Sequence, residues 1–148
     1  VGMQGFLTIA EMTADARRLL PPRRALPEME FERIASRAAI ETALRINLEA
    51  YAMPLEILAS TVEAGMFFAD ARREIGLIGR VDGEAVSTAG VVELDGWLYV
   101  YLVATAPGQQ RKGYAEAVVR KALALAAEEW GVTRTALDAS EMGAPVYR

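Results

Sequence analysis

Neither cysteine nor histidine occurs anywhere in the chain. Their absence excludes disulfides, a cysteine acyl-enzyme, a histidine general base and zinc sites built on His or Cys ligands. No metal site is expected. No apolar run approaches the roughly 20 residues of a membrane span, and no signal peptide is recognisable. A soluble cytoplasmic protein that does not bind membranes is therefore expected. A basic excess is missing too: 16 Lys and Arg stand against 20 Asp and Glu, a net charge of −4. Without a basic tail, nucleic acid held through its phosphates is not an expected partner.

Apolar residues are abundant, at 53% of 148 residues. That suits one domain with a proper core and leaves surface for a homodimer interface. The chain is organised around residues 97–130. Residues 97–103 (Trp-Leu-Tyr-Val-Tyr-Leu-Val) are uncharged, aromatic and β-branched, which reads as a buried strand. Pro107 cannot donate to a ladder, so the strand should be over by then. A helix should begin within or just after Gln110-Arg111-Lys112-Gly113-Tyr114-Ala115, with Glu116 and Arg120 paired i, i+4, and should stop at Gly131.

A helix N-terminus offers unpaired N–H groups and partial positive charge. With a glycine for close approach and the charges of Arg111 and Lys112, this junction suits a phosphate or diphosphate. The plainer reading is a solvated surface loop. A P-loop is excluded: Gly108 and Gly113 have its spacing, but Tyr114-Ala115 replaces its Lys and hydroxyl. Gly-x-Gly-x-x-Gly occurs nowhere.

Upstream, Pro21, Pro22 and Pro27 preclude a continuous helix and mark a linker or a lead into a strand. Arg23 and Arg24 read as solvated, with contact to an anionic partner the other reading. Residues 29–34 alternate as a half-exposed strand, and Ser36 can cap a helix that ends by Pro54. A second short helix is expected over 55–63. Asp82-Gly83 and Asp95-Gly96 each suit a type I′ turn, giving a three-stranded antiparallel meander over 74–103. Residues 132–138 read as a strand reached by a parallel crossover.

Gln110-x-x-Gly113-x-Ala115, following an apolar strand and Pro107, resembles the Gln/Arg-x-x-Gly-x-Gly/Ala motif of the GNAT superfamily of N-acetyltransferases. The order of elements resembles that family from about residue 30 to 148. The resemblance implies an α/β (α+β) fold with a mixed sheet and helices on both faces. It implies domain bounds of 30–148, with 1–29 an unassigned extension. Acetyl-CoA would be the co-substrate, held by Gln110, Arg111, Lys112, Gly113, Tyr114 and Ala115 at its diphosphate. Val103, Ala104 and Thr105 would line the gap where two strands splay and the thioester arm enters. Residues 139–148 resemble the family's last motif, which implies that Pro145 opens a short helix and that Tyr147 serves as general acid toward the leaving sulfur, the plainer reading being a tyrosine packed over the cofactor without proton transfer.

The implied activity is acetyl transfer to a primary amine of a small molecule or protein; the alternatives are an idle acyl-CoA-binding regulatory module and, from the high apolar content, an interaction domain with no cofactor. The sequence stops before the family's terminal hairpin, so either it is a piece of a longer chain or another segment, residues 1–30 or a second subunit, covers the open sheet edge. No base is assigned. Glu93 should pair with Leu98, ~13 Å from the cleft at ~3.3 Å per residue, and reads as a solvated carboxylate. Tyr99 and Tyr101 read as core or cleft wall. Tyr51-Ala52-Met53-Pro54 reads either as an acceptor-pocket wall or as a helix end packed on the sheet.

Overall fold

A computed structural model describes residues 9–22, 24–65, 67–68 and 72–140. The strands are β1 (Ile9–Asp15), β2 (Glu30–Arg33), β3 (Glu74–Val81), β4 (Glu84–Leu94), β5 (Trp97–Thr105) and β6 (Arg134–Ser140). Helices α1 (Arg37–Ala50), α2 (Leu58–Glu63, entered through a 3-10 turn at Leu55–Ile57) and α3 (Tyr114–Trp130) complete the order. One six-stranded sheet runs β1-β6-β5-β4-β3-β2. Every neighbouring pair is antiparallel except β5 and β6. The expected mixed sheet and meander are present.

Local signals explain most of this. Asp82 and Gly83 have φ of 51° and 81°, and Asp95 and Gly96 have 49° and 78°. Both loops thus place two residues in the left-handed region, as tight hairpins of this twist require. Ser36 is the N-cap of α1, its hydroxyl accepting from the Ala39 amide at 3.2 Å. Ser36→Ala should lower stability by about 1 kcal/mol, read as a drop in urea midpoint at constant slope. At the far end of α3, Gly131 closes the helix at φ 69°.

Alternation along the strands divides the core in two. Ile75, Leu77, Val91, Leu98, Val100 and Leu137 face α3, where Val118, Ala122, Leu123 and Ala126 are buried against them. Ile78 turns the other way and packs with Ile34, Ala39 and Ala43 under α1. Burying each of the larger side chains stabilises the fold by roughly 1.5–3 kcal/mol. Helices therefore cover both sheet faces.

β1 lies within the N-terminal stretch that had no assigned element. It pairs with β6 over the register Ile9↔Ser140 to Asp15↔Arg134. The edge of β6 that the sequence left open is thus covered by the chain's own N-terminal strand. Asp15 ends the strand: its carboxylate accepts from the Arg17 amide at 2.9 Å and its carbonyl from Arg18 at 2.9 Å. Among the described residues, no helix is long and apolar enough to cross a membrane.

Candidate active site

The site grows from an irregularity in β5. Thr88 pairs with Ala104 but Gly90 pairs with Tyr101, so β5 carries an extra residue opposite Ala89. Leu102 takes the strain at φ 48°, a rare conformation for a residue with a Cβ. Side chains hold the bulge. Asn47 of α1, buried, donates to the Thr88 hydroxyl at 2.9 Å, which donates to the Leu102 carbonyl at 3.0 Å. Ser87 donates to the Ala104 carbonyl at 2.7 Å.

Beyond the bulge the strands part. Among the described residues, β5 and β6 pair only at Leu98↔Thr135, Tyr99↔Ala136 and Val100↔Leu137. β5 continues to Thr105, while β6 continues to Ser140 in company with β1 alone. The result is a wedge at the C-terminal ends of two parallel strands. Val103, Ala104 and Thr105 lie on its β5 side. Ala104 is buried and directed to β4; alternation turns the backbone of Val103 and Thr105 the other way, toward the gap.

The strand leads straight into the basic loop. The Ala106 amide still bonds Val86 at 2.9 Å, and Gln109 turns back to Ala106 at 3.0 Å. Gly108, Arg111 and Gly113 then take φ of 77°, 63° and 90°. Gly113 is the N-cap of α3. The first helical bond is from the Ala117 amide to the Gly113 carbonyl at 3.1 Å. No backbone carbonyl among the described residues accepts from the amides of Gly113, Tyr114, Ala115 or Glu116. These four N–H groups and the dipole behind them form an anion cradle, with Gln110, Arg111 and Lys112 exposed at its rim.

The missing Cβ of Gly113 has an occupant that the sequence did not suggest. A Cβ there would lie 3.3 Å from Nε of Arg24 and 3.3 Å from Cδ of Pro27. The N-terminal segment therefore crosses the loop, and Nη1 of Arg24 donates to the Arg111 carbonyl at 2.9 Å. Lys112 bonds Oε1 of Gln109 at 2.6 Å, and with Tyr114 it lines a cavity of about 400 Å³ that also includes Asp82 and Glu84. Glu116 and Arg120 form their expected pair at 2.9 Å.

Tyr51, at the C-terminus of α1, reaches the wedge. Its hydroxyl donates to the Val103 carbonyl at 3.1 Å. Its ring and the side chains of Met53, Leu55 and Ile57 are exposed. On the same sheet face Tyr99 donates to the Asp138 carboxylate, and Tyr101 to Glu74 at 3.4 Å. Sequence reasoning did not single out Asp138. Glu93 pairs with Leu98 as expected, but it is tied rather than free: Arg73 bonds it at 2.8 Å and the Gly96 amide at 2.8 Å. Those donors lower its pKa. Tyr147 lies outside the described residues. Among the described residues no group of three or more His, Cys, Asp or Glu is placed to hold a metal.

The hydrogen bond to Asp138, with burial second, pushes the Tyr99 pKa from 10.0 to about 12. Its contribution to stability is complete below pH 10 and lost as pH rises through about 12. Tyr99→Phe should flatten that part of the alkaline limb in urea midpoints across this window. Tyr101, raised chiefly by burial, keeps its own share of the limb.

The family model described as the acetyltransferase (GNAT) family matches residues 39–147, well over half of the chain. The chain belongs to the GNAT acetyltransferase family. Solved structures share the fold of this GNAT domain. A GCN5-related N-acetyltransferase from Kribbella flavida is 23% identical with a TM-score of 0.66, the match covering 90% of this chain and 50% of that one. One from Sphaerobacter thermophilus is 16% identical with a TM-score of 0.69, covering 89% and 42%. A predicted acetyltransferase from Clostridium acetobutylicum, solved with acetyl-CoA, is 18% identical with a TM-score of 0.64, covering 81% and 86%. The chain thus spans half or less of two of these relatives. At such identities the likeness is one of fold. No curated protein matches.

Proposed function

We propose that this GNAT domain transfers an acetyl group from acetyl-CoA directly to a primary amine. The observation that carries the reading is the juxtaposition of two fitting parts. An anion cradle of unpaired amides at Gly113–Glu116 stands at the end of a strand whose outer edge, at Val103 and Thr105, is released from β6. The cradle suits a diphosphate, and the released edge suits an extended arm that pairs with strand backbone. In this reading Gln110, Arg111, Lys112, Gly113, Tyr114 and Ala115 hold the diphosphate, and Val103, Ala104 and Thr105 border the arm. Acetyl-CoA supplies the activated acyl group as a thioester.

The remaining tasks fall to the chain. Backbone N–H groups at the end of β5 are the proposed donors that polarise the thioester carbonyl. The C–S bond breaks as the C–N bond forms, so the sulfur must gain a proton and the amine must lose one. Tyr147 is the proposed donor to sulfur, by its match to the family motif. Tyr51, beside the Val103 carbonyl, is the proposed wall of the acceptor pocket.

Calorimetric titration of acetyl-CoA, followed by thiol release with a panel of amines, tests the proposal. Saturable binding and amine-dependent thiol release are expected. No affinity for acetyl-CoA would overturn it, and binding without turnover on any amine would favour the idle module.

A further inference from the structure

We infer that Arg24 is a diphosphate-binding side chain, carried to the α3 cradle by the N-terminal segment and forming a three-cation rim with Arg111 and Lys112. This rests on the acetyl-CoA reading of the cradle and adds to it a residue that lies outside the matched family region of 39–147.

Position is the first argument. The Nε and Nη2 atoms of Arg24 lie 3.3 and 3.6 Å from where a Gly113 Cβ would be, so the guanidinium lies against the glycine at the head of the helix. Its Nη1 donates to the Arg111 carbonyl at 2.9 Å, across 87 residues of sequence. Gly113 is buried while its neighbours Arg111 and Lys112 are exposed, which fits a cover supplied by Arg24 and Pro27.

The segment is also anchored on both sides of Arg24. Nη2 of Arg120 donates to the Leu20 carbonyl at 2.7 Å. Pro27 sits against Gly113, and Met29 packs with the α3-facing core. Pro21, Pro22 and Pro27 reduce the chain entropy lost in laying this segment down. A long, flexible arginine would gain little from such anchoring if it were only solvated.

Charge is the third argument. Among the described residues no carboxylate lies within ion-pair distance of Arg24, Arg111 or Lys112. Lys112 is bonded to a neutral amide, and Arg24 uses one of five N–H donors on a carbonyl. Lys112 shares its cavity with Asp82 and Glu84, whereas Arg24 is bound only to a neutral carbonyl. A diphosphate at the head of α3 can accept from the free edge of the Arg24 guanidinium.

The test measures thermal-shift titrations of acetyl-CoA, inorganic pyrophosphate and S-acetylpantetheine, which lacks the diphosphate, on wild type, Arg24→Ala and Arg24→Gln. Gln can still donate to the Arg111 carbonyl but carries no charge. Both variants should need about tenfold more acetyl-CoA and pyrophosphate for half-maximal shift, a loss of the size expected for one charged hydrogen bond. Their S-acetylpantetheine response should match wild type.

Unchanged or tighter binding of acetyl-CoA by Arg24→Ala would overturn the inference, the second outcome marking Arg24 as a plug. Equal loss for all three probes, or full rescue by Gln, would reduce Arg24 to a clamp on the loop and also overturn it. A wild type that ignores acetyl-CoA altogether would instead sink the acetyltransferase reading itself. Should Arg24→Ala not fold, the Gln variant decides.

Discussion

Gly113→Val is expected to weaken acetyl-CoA binding at least about tenfold, or about 1.4 kcal/mol, while leaving the far-ultraviolet circular dichroism spectrum unchanged. Two costs combine. At φ 90° a β-branched residue is strained by about 1–2 kcal/mol, and the backbone relieves this by rotating the peptide that leads into α3. The new Cβ would also sit 3.3 Å from both Arg24 and Pro27, tighter than ordinary contact, so the N-terminal segment must shift. Either response moves the amides of Tyr114 and Ala115 or the cations beside them. Gly108→Ala is the control. Gly108 has φ 77° but open space where its Cβ would go, so it carries backbone strain without the clash. A smaller loss there than at Gly113 separates the two costs. Wild-type affinity in Gly113→Val would show that the head of α3 does not hold the diphosphate.

What could be read from the sequence depended on how local each signal was. The Asp-Gly hairpins, the Ser36 cap, the Gly131 stop and the alanine-rich α3 are decided by residues within a turn of one another, and each stands where the sequence put it. The loop motif was legible for the same reason.

β1 was not, although Glu11, Thr13 and Asp15 alternate with Met12 and Ala14. That alternation is short and weakly apolar, and its strand character comes from pairing with β6 more than 100 residues away. The bulge at Leu102 likewise depends on Asn47, Thr88 and Ser87 from two other elements. Arg24 was visible as one of two arginines between prolines, readable as solvated or as a contact to an anionic partner. Nothing in that stretch announces the carbonyl 87 residues away to which it donates.

Tyr147→Phe should lower turnover about 100-fold, or about 2.7 kcal/mol in the barrier, with the affinity for acetyl-CoA unchanged. The size follows from what a positioned proton donor contributes when a thiolate leaves. The five tyrosines are not equivalent candidates. Tyr99 and Tyr101 already donate to Asp138 and Glu74, and both have raised pKa values. A phenol that holds its proton more tightly and directs it at a carboxylate is a poor general acid for another atom. Tyr114 lines the cavity beside Lys112, at the diphosphate end of the proposed site rather than the thioester end.

Tyr51 is the competitor of substance, because its hydroxyl already stands on the Val103 carbonyl at the edge of the wedge. The two tyrosines separate by kinetics. A wall residue that loses only its hydroxyl should raise KM for the amine and leave kcat nearly intact. A general acid lowers kcat and kcat/KM together. Measured side by side under saturating acetyl-CoA, Tyr147→Phe should show the second pattern and Tyr51→Phe the first. The reverse would move the proton donor to the end of α1, and with it the thioester toward Val103.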